Sequence, residues 1–132
     1  MSQPLFTPAH FLAVAVGSAF GGAARFALTA AVGARAGVAF PVGTLTVNIL
    51  GCFALGVLMQ WTVGRADLTQ LLLTTGFCGG FTTFSTFSYE AIRLAQEGLW
   101  SRASAYVALS VGAGLAALWV GMMATRAASA AR

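Results

Sequence analysis

Between Arg35 and Arg65 no residue carries a formal charge, and the same holds from Leu68 to Tyr89 and from Ala103 to Thr125. About 20 mostly apolar residues suffice for a helix to cross a hydrocarbon core about 30 Å thick. Before Arg25, the stretch from Leu5 to Ala24 is uncharged apart from the proton that His10 can take up, and apolar character continues to Val32. The charges therefore cut the chain into four candidate spans, at about 5–32, 44–63, 69–90 and 103–125. The expected fold is an all-α membrane protein, a single four-helix domain over residues 1–132. Short connections fall around Ala34 to Pro41, Gly64 to Leu68 and Gly98 to Arg102.

Composition supports a bilayer as the solvent. Charged residues make up 8% of the chain, against about 25% in soluble domains. With 58% hydrophobic residues and a mean hydropathy of +0.84, the chain would expose too much apolar surface to stay monomeric in water. The net charge of +4 comes from scattered arginines without a single lysine, which argues against nucleic-acid binding. Cys52 and Cys78 lie in apolar runs without the flanking His or Cys of a metal site and read as buried thiols. Residues 1–9 lack a basic segment, so no cleavable signal peptide is expected.

Glycine recurs through the spans, and Gly17 with Gly21 forms a GxxxG pair that lets helix backbones approach closely in lipid. The partner helix is not identified by the sequence, and an Ala/Gly-rich chain also produces such pairs by chance.

The third span differs in kind. From Thr74 to Ser88, TTGFCGGFTTFSTFS contains hydroxyl residues, Phe, Gly and one Cys, and no aliphatic side chain. A lipid-facing helix has no use for so many hydroxyls. Gly79-Gly80 followed by the β-branched pair Thr82-Thr83 is a poor helix interior, and a local break is expected at 79–83. Unwound backbone survives in a membrane only where protein, water or an ion satisfies it. The half-helix ending there would direct carbonyl oxygens at the break, a recurrent way of coordinating a cation. Beyond it, Phe81, Phe84 and Phe87 recur every third residue, with Thr82, Ser85, Thr86 and Tyr89 on the neighbouring face. These phenyl groups either pack, or present their positive ring edges to a small anion beside a file of hydroxyl donors.

Other polar residues in the spans are few. Asn48 needs a partner in hydrocarbon and is either interhelical glue or a pathway donor. Tyr106 and Ser110 lie one turn apart on one face, although Tyr106 also suits an interfacial belt. Glu90, three residues before Arg93, is expected in a surface ion pair, and Arg25 as a snorkelling or vestibule arginine.

At GTLTVN (Gly43 to Asn48) and GFCGGFTTFSTFSYE (Gly76 to Glu90) the chain resembles the Fluc, or CrcB, family of fluoride channels. Length, span count and the position of Arg25 fit as well. The resemblance implies an antiparallel dual-topology homodimer of four-helix subunits, with two fluoride pores and a structural sodium ion at the subunit interface. It implies main-chain carbonyls of Gly79 and Thr82 as sodium ligands, and Phe84 and Phe87 as the aromatic lining. Asn48 would position those rings, with Tyr106 and Ser110 on the polar track. Thr44, Thr83, Thr86 and Glu90 match the family pattern with less defined roles. One departure stands out, because Gly114 replaces a serine that some relatives carry one turn after Ser110.

The function so implied is passive export of fluoride through the bacterial inner membrane, with fluoride, lipid and a second identical subunit as partners. No enzyme activity is expected, since no nucleophile, base and orienting group occur together. One rival is a proton-coupled exporter of the small multidrug type, which needs a carboxylate deep in a span; Asp67, Glu90 and Glu97 all read as lying at or beyond span ends. The other is a structural membrane subunit, which leaves Thr74 to Ser88 unexplained.

Overall fold

The computed structural model describes residues 7–36, 39–64 and 67–130. Arg65, Arg132 and the first two residues of the expected first span lie outside the described residues. The described chain is helical: α1 (Pro8–Ala36), α2 (Val42–Trp61), α3 (Leu68–Leu71), a π-helix (Leu72–Cys78), α4 (Gly79–Phe81), α5 (Phe84–Gln96) and α6 (Trp100–Ala130). Among them, Pro8–Arg35, Val42–Trp61 and Trp100–Ala130 are each long and apolar enough to cross a membrane.

The third apolar stretch follows a different path from one uniform helix. Asp67 caps α3 by accepting from the Gln70 N–H at 2.9 Å, and the chain stays helical over 68–81. Inside it, the Thr74 hydroxyl donates to the Gln70 carbonyl at 2.8 Å and competes for the acceptor of the normal helical bond. The helix widens to π geometry over this turn, a form often found at functional sites. The backbone then becomes extended at Thr82 (φ −83°, ψ 160°) and Thr83 (φ −150°, ψ 114°) before α5 begins. Gly79 and Gly80, expected within the unwound stretch, are helical.

The glycines do their work in close packing. A Cβ on Gly17 would meet the Leu72 carbonyl and the Gly76 backbone, and one on Gly21 would meet the Phe77 carbonyl. A Cβ on Gly80 would come within 2.6 Å of the Ser18 carbonyl oxygen. The partner of the Gly17/Gly21 pair is thus the 68–81 segment, whose Gly76 and Gly80 repeat the same spacing. The order of these contacts makes α1 and that segment parallel. Along α2 and α6, Cys52 lies against Gly114, the Val57 carbonyl accepts from the Thr125 hydroxyl at 3.5 Å and Gln60 accepts from Arg126 at 3.0 Å, so these two helices are also parallel.

A left-handed glycine ends α5. Gly98 (φ +78°) lets its own N–H reach the Ala95 carbonyl at 3.0 Å and the Leu99 N–H reach Leu94 at 2.9 Å, closing a Schellman turn that delivers the chain into α6. Many large apolar side chains remain exposed on the outside of the subunit, among them Phe11, Phe20, Phe26, Leu115 and Trp119, as lipid-facing helices require.

Candidate functional site

The site grows from the extended pair Thr82-Thr83. In an unbroken helix the Thr83 N–H would bond the Gly79 carbonyl. Here that N–H donates to Asn48 Oδ1 at 2.8 Å, and Asn48 Nδ2 donates back to the Thr83 carbonyl at 3.1 Å. One carboxamide from α2 replaces both helical partners of Thr83, and the Gly79 carbonyl loses its usual donor. Asn48 thus ties α2 to the break. Thr82 closes the preceding helix, with both its N–H (3.0 Å) and its hydroxyl (2.9 Å) on the Cys78 carbonyl. The Thr83 hydroxyl caps α5 by accepting from the Thr86 N–H at 3.2 Å, and it lies 3.0 Å from the Thr86 hydroxyl.

Arg25 reaches inward. Its Nη1 donates to the Thr82 carbonyl at 3.4 Å, placing a cationic group beside the end of the 68–81 helix, where the macrodipole is negative. In this subunit it contacts the break.

The surface ion pair expected for Glu90 does not form. Glu90 Oε1 accepts from the Thr44 hydroxyl at 3.0 Å and Oε2 from the Tyr106 hydroxyl at 2.7 Å, while Arg93 pairs with Glu97 at 3.3 Å. The helix register explains the difference. Glu90 is three residues from Phe87 and four from Leu94, both part of the core packing of α5, so it faces α2 and α6. Tyr106 has no exposed surface, which removes the interfacial-belt alternative, and its hydroxyl proton is already committed to Glu90.

Around this clamp runs a file of rings. Phe84 and Phe87 have centroids 5.5 Å apart, Phe87 and Tyr106 5.3 Å, and Tyr106 and Phe40 5.5 Å, the last edge to face. Phe84, next to the break, is 80% exposed on the subunit surface. Phe40 was not singled out from the sequence; its place beside Pro41, in the turn that starts α2 toward Thr44, was the available signal. On α6, the Ser110 hydroxyl oxygen is buried and has no hydrogen-bond partner in the described structure. An open groove of about 400 Å³ flanks the break and is lined by Asn48, Cys52, Thr75, Gly79, Thr82 and Phe84, among others. Cys78 is buried, whereas Cys52 is only half-buried, and both are free thiols.

These features define a multi-pass helical membrane protein with a polar and aromatic seam between its helices. Residues 12–122 match the family model described as CrcB-like protein, Camphor Resistance (CrcB), and the chain belongs to that family. A protein of Geobacter sulfurreducens named "Fluoride-specific ion channel FluC" is 48% identical over 118 residues, covering 87% of this chain and 95% of its own. Proteins with the same name from Roseiflexus sp. and Cereibacter sphaeroides are 42% and 45% identical, covering 85% and 87% of this chain and 93% of their own lengths.

Proposed function

We propose that this protein is a fluoride-selective channel that lets fluoride leave the bacterial cytoplasm passively through the inner membrane. The observation that carries the reading is the seam itself: a file of rings from Phe84 to Tyr106 beside a buried Ser110 hydroxyl that no protein group uses. A small, strongly hydrated anion must exchange its water for other partial positive charges. Ring edges and a free hydroxyl supply them without holding the ion by a full charge. The names of relatives 42–48% identical over most of the chain point the same way.

The subunit is read as four crossings. A short connection joins α2 to α3, yet α6 runs parallel to α2. Residues 68–96 must then make the full return crossing, broken at Thr82-Thr83. The groove beside the break and the exposed Phe84 are covered, in this reading, by a second copy inserted in the opposite orientation.

Sodium fits the chemistry of the break. Hard cations take oxygen ligands, and the Gly79 carbonyl has lost its helical donor; the Thr82 carbonyl would exchange its long 3.4 Å bond from Arg25 for the ion. One subunit offers two such oxygens, fewer than a full shell, so the ion would be shared between copies. Its contribution when bound is to neutralise the paired helix ends; the residues fix the backbone that presents Phe84.

A proton-coupled exporter draws support from one observation, the half-buried Glu90 carboxylate. Purified protein in liposomes with a fluoride gradient and either no pH gradient or an imposed one distinguishes the two. The channel reading expects fluoride flux without a pH gradient and no fluoride accumulation when one is applied. Uphill accumulation would establish the exporter, and silence in both conditions would remove the transport function.

A further inference from the structure

Cys52 stands one turn after Asn48 on the same face of α2 and lines the groove beside the break together with Asn48, Thr83 and Phe84. It also faces α6: a Cβ on Gly114 would lie 3.5 Å from Cys52 Sγ. On α6, Tyr106, Ser110 and Gly114 follow at four-residue intervals, so one face offers a committed hydroxyl, a free buried hydroxyl and then no side chain at all. Thr44, Asn48 and Cys52 run along α2 at the same spacing. Thr44 meets Tyr106 through Glu90, and Cys52 meets Gly114 two turns further on. The thiol fills the level at which α6 is bare.

We infer that Cys52 is an ion-contacting residue of the fluoride path, its S–H serving as the donor after Ser110 in place of the side chain that Gly114 lacks. The inference rests on the channel reading and adds a specific residue to it. A thiol is a weaker donor than a hydroxyl, so the ion is held less firmly at this level than at Ser110. The Cys52 sulfur is free, half-buried and in ordinary contact distance of the Gly114 position, as a lining group must be.

The test compares fluoride efflux per channel from proteoliposomes for the unaltered protein, Cys52→Ala, Cys52→Ser and the double variant Cys52→Ala/Gly114→Ser. Cys52→Ala should slow efflux roughly threefold to tenfold, as expected for losing one modest hydrogen bond in the path. Cys52→Ser should match or exceed the unaltered rate, and Gly114→Ser should restore it in the Cys52→Ala background. Efflux unchanged in Cys52→Ala, or a loss that neither serine repairs, would make Cys52 a packing residue only. A second measurement needs no variant: fluoride, compared with equal chloride, should slow modification of Cys52 by methyl methanethiosulfonate at least twofold, read by mass spectrometry. Equal rates would overturn the inference. If the unaltered protein passes no fluoride, the channel reading fails and takes this inference with it; normal flux with an indifferent Cys52 rejects the inference alone.

Discussion

Asn48 grips Thr83 through both ends of its carboxamide, giving a hydrogen bond of 3.1 Å to the carbonyl and taking one of 2.8 Å from the N–H. A single α2 side chain thereby satisfies the two main-chain groups that the helix abandons. It also sets the direction in which α5, and with it Phe84, leaves the break. Replacing Asn48 by Ala strands both groups, at a cost of about 1–3 kcal/mol for each one left buried and unpaired. Asn48→Ala should lower stability in detergent and reduce fluoride flux by at least tenfold. Asn48→Asp keeps one acceptor but lacks the donor, and should fall between the two. Unfolding and flux measured on the same preparations check the order.

The second prediction concerns Glu90 and Tyr106, joined at 2.7 Å. Hydrogen bonds to a charged group contribute about 1.5–3 kcal/mol. Tyr106→Phe should therefore destabilise the bundle by about that amount, and Glu90→Gln by somewhat less, because the Thr44 hydroxyl keeps an acceptor. The double variant should lose less than the sum of the two. Additive losses in a double-mutant cycle would show that the pair is not coupled.

Two adjacent glycines make opposite predictions. A Cβ on Gly21 would run into the Phe77 carbonyl, whereas one on Gly22 meets nothing within 4 Å. Gly21→Ala should push α1 away from the 68–81 helix and reduce both stability and flux. Gly22→Ala should be neutral or stabilising by about 0.5–1 kcal/mol, the usual gain of Ala over Gly in a helix interior. Thermal unfolding of the two variants decides between them.

Orientation is the fourth. If the subunit crosses four times as proposed, the sequence order puts Arg65, Arg126 and Arg132 on one side and Arg35, Arg93 and Arg102 on the other, while Arg25 bonds the Thr82 carbonyl. This near-balance supplies no positive-inside bias. Two or three Lys added after Thr125 should force one orientation and abolish activity, by preventing an antiparallel pair. Co-expression with a variant carrying extra Lys in the Ala34 to Pro41 connection should restore it. Full activity of the tail variant alone, with uniform orientation verified by cysteine labelling, would contradict the antiparallel dimer.

The apolar stretches were legible because charges interrupt them, but the helices do not stop at those charges: α1 continues through Arg25 and Arg35, and α6 takes in Arg102 and Arg126. The unusual third stretch was legible from its composition, but the location of the extended backbone was not. Gly79 and Gly80 look like helix breakers in one dimension, while in three both are helical and Gly80 lets Ser18 of α1 approach. Glu90 was misread because Arg93 lies three residues away. Its spacing from Phe87 and Leu94 placed it on the buried face and was available to be read. That Thr83 would be the partner of Asn48 depends on how α2 meets the break, and no local pattern encodes that. Ser110 without a partner is likewise a fact about what surrounds it.

The central claim is that fluoride crosses along the rings of Phe84 and Phe87, and the most direct measurement is initial anion efflux from proteoliposomes, started with a potassium ionophore. Phe84 is largely exposed in the subunit and Phe87 only half-buried, so an isoleucine at either position should leave the subunit folded while removing a positive ring edge. The account predicts rapid fluoride efflux and negligible chloride efflux from the unaltered protein, with fluoride efflux lowered by at least tenfold in Phe84→Ile and Phe87→Ile. Equal fluoride and chloride rates, or unaltered fluoride efflux in both folded variants, would contradict it.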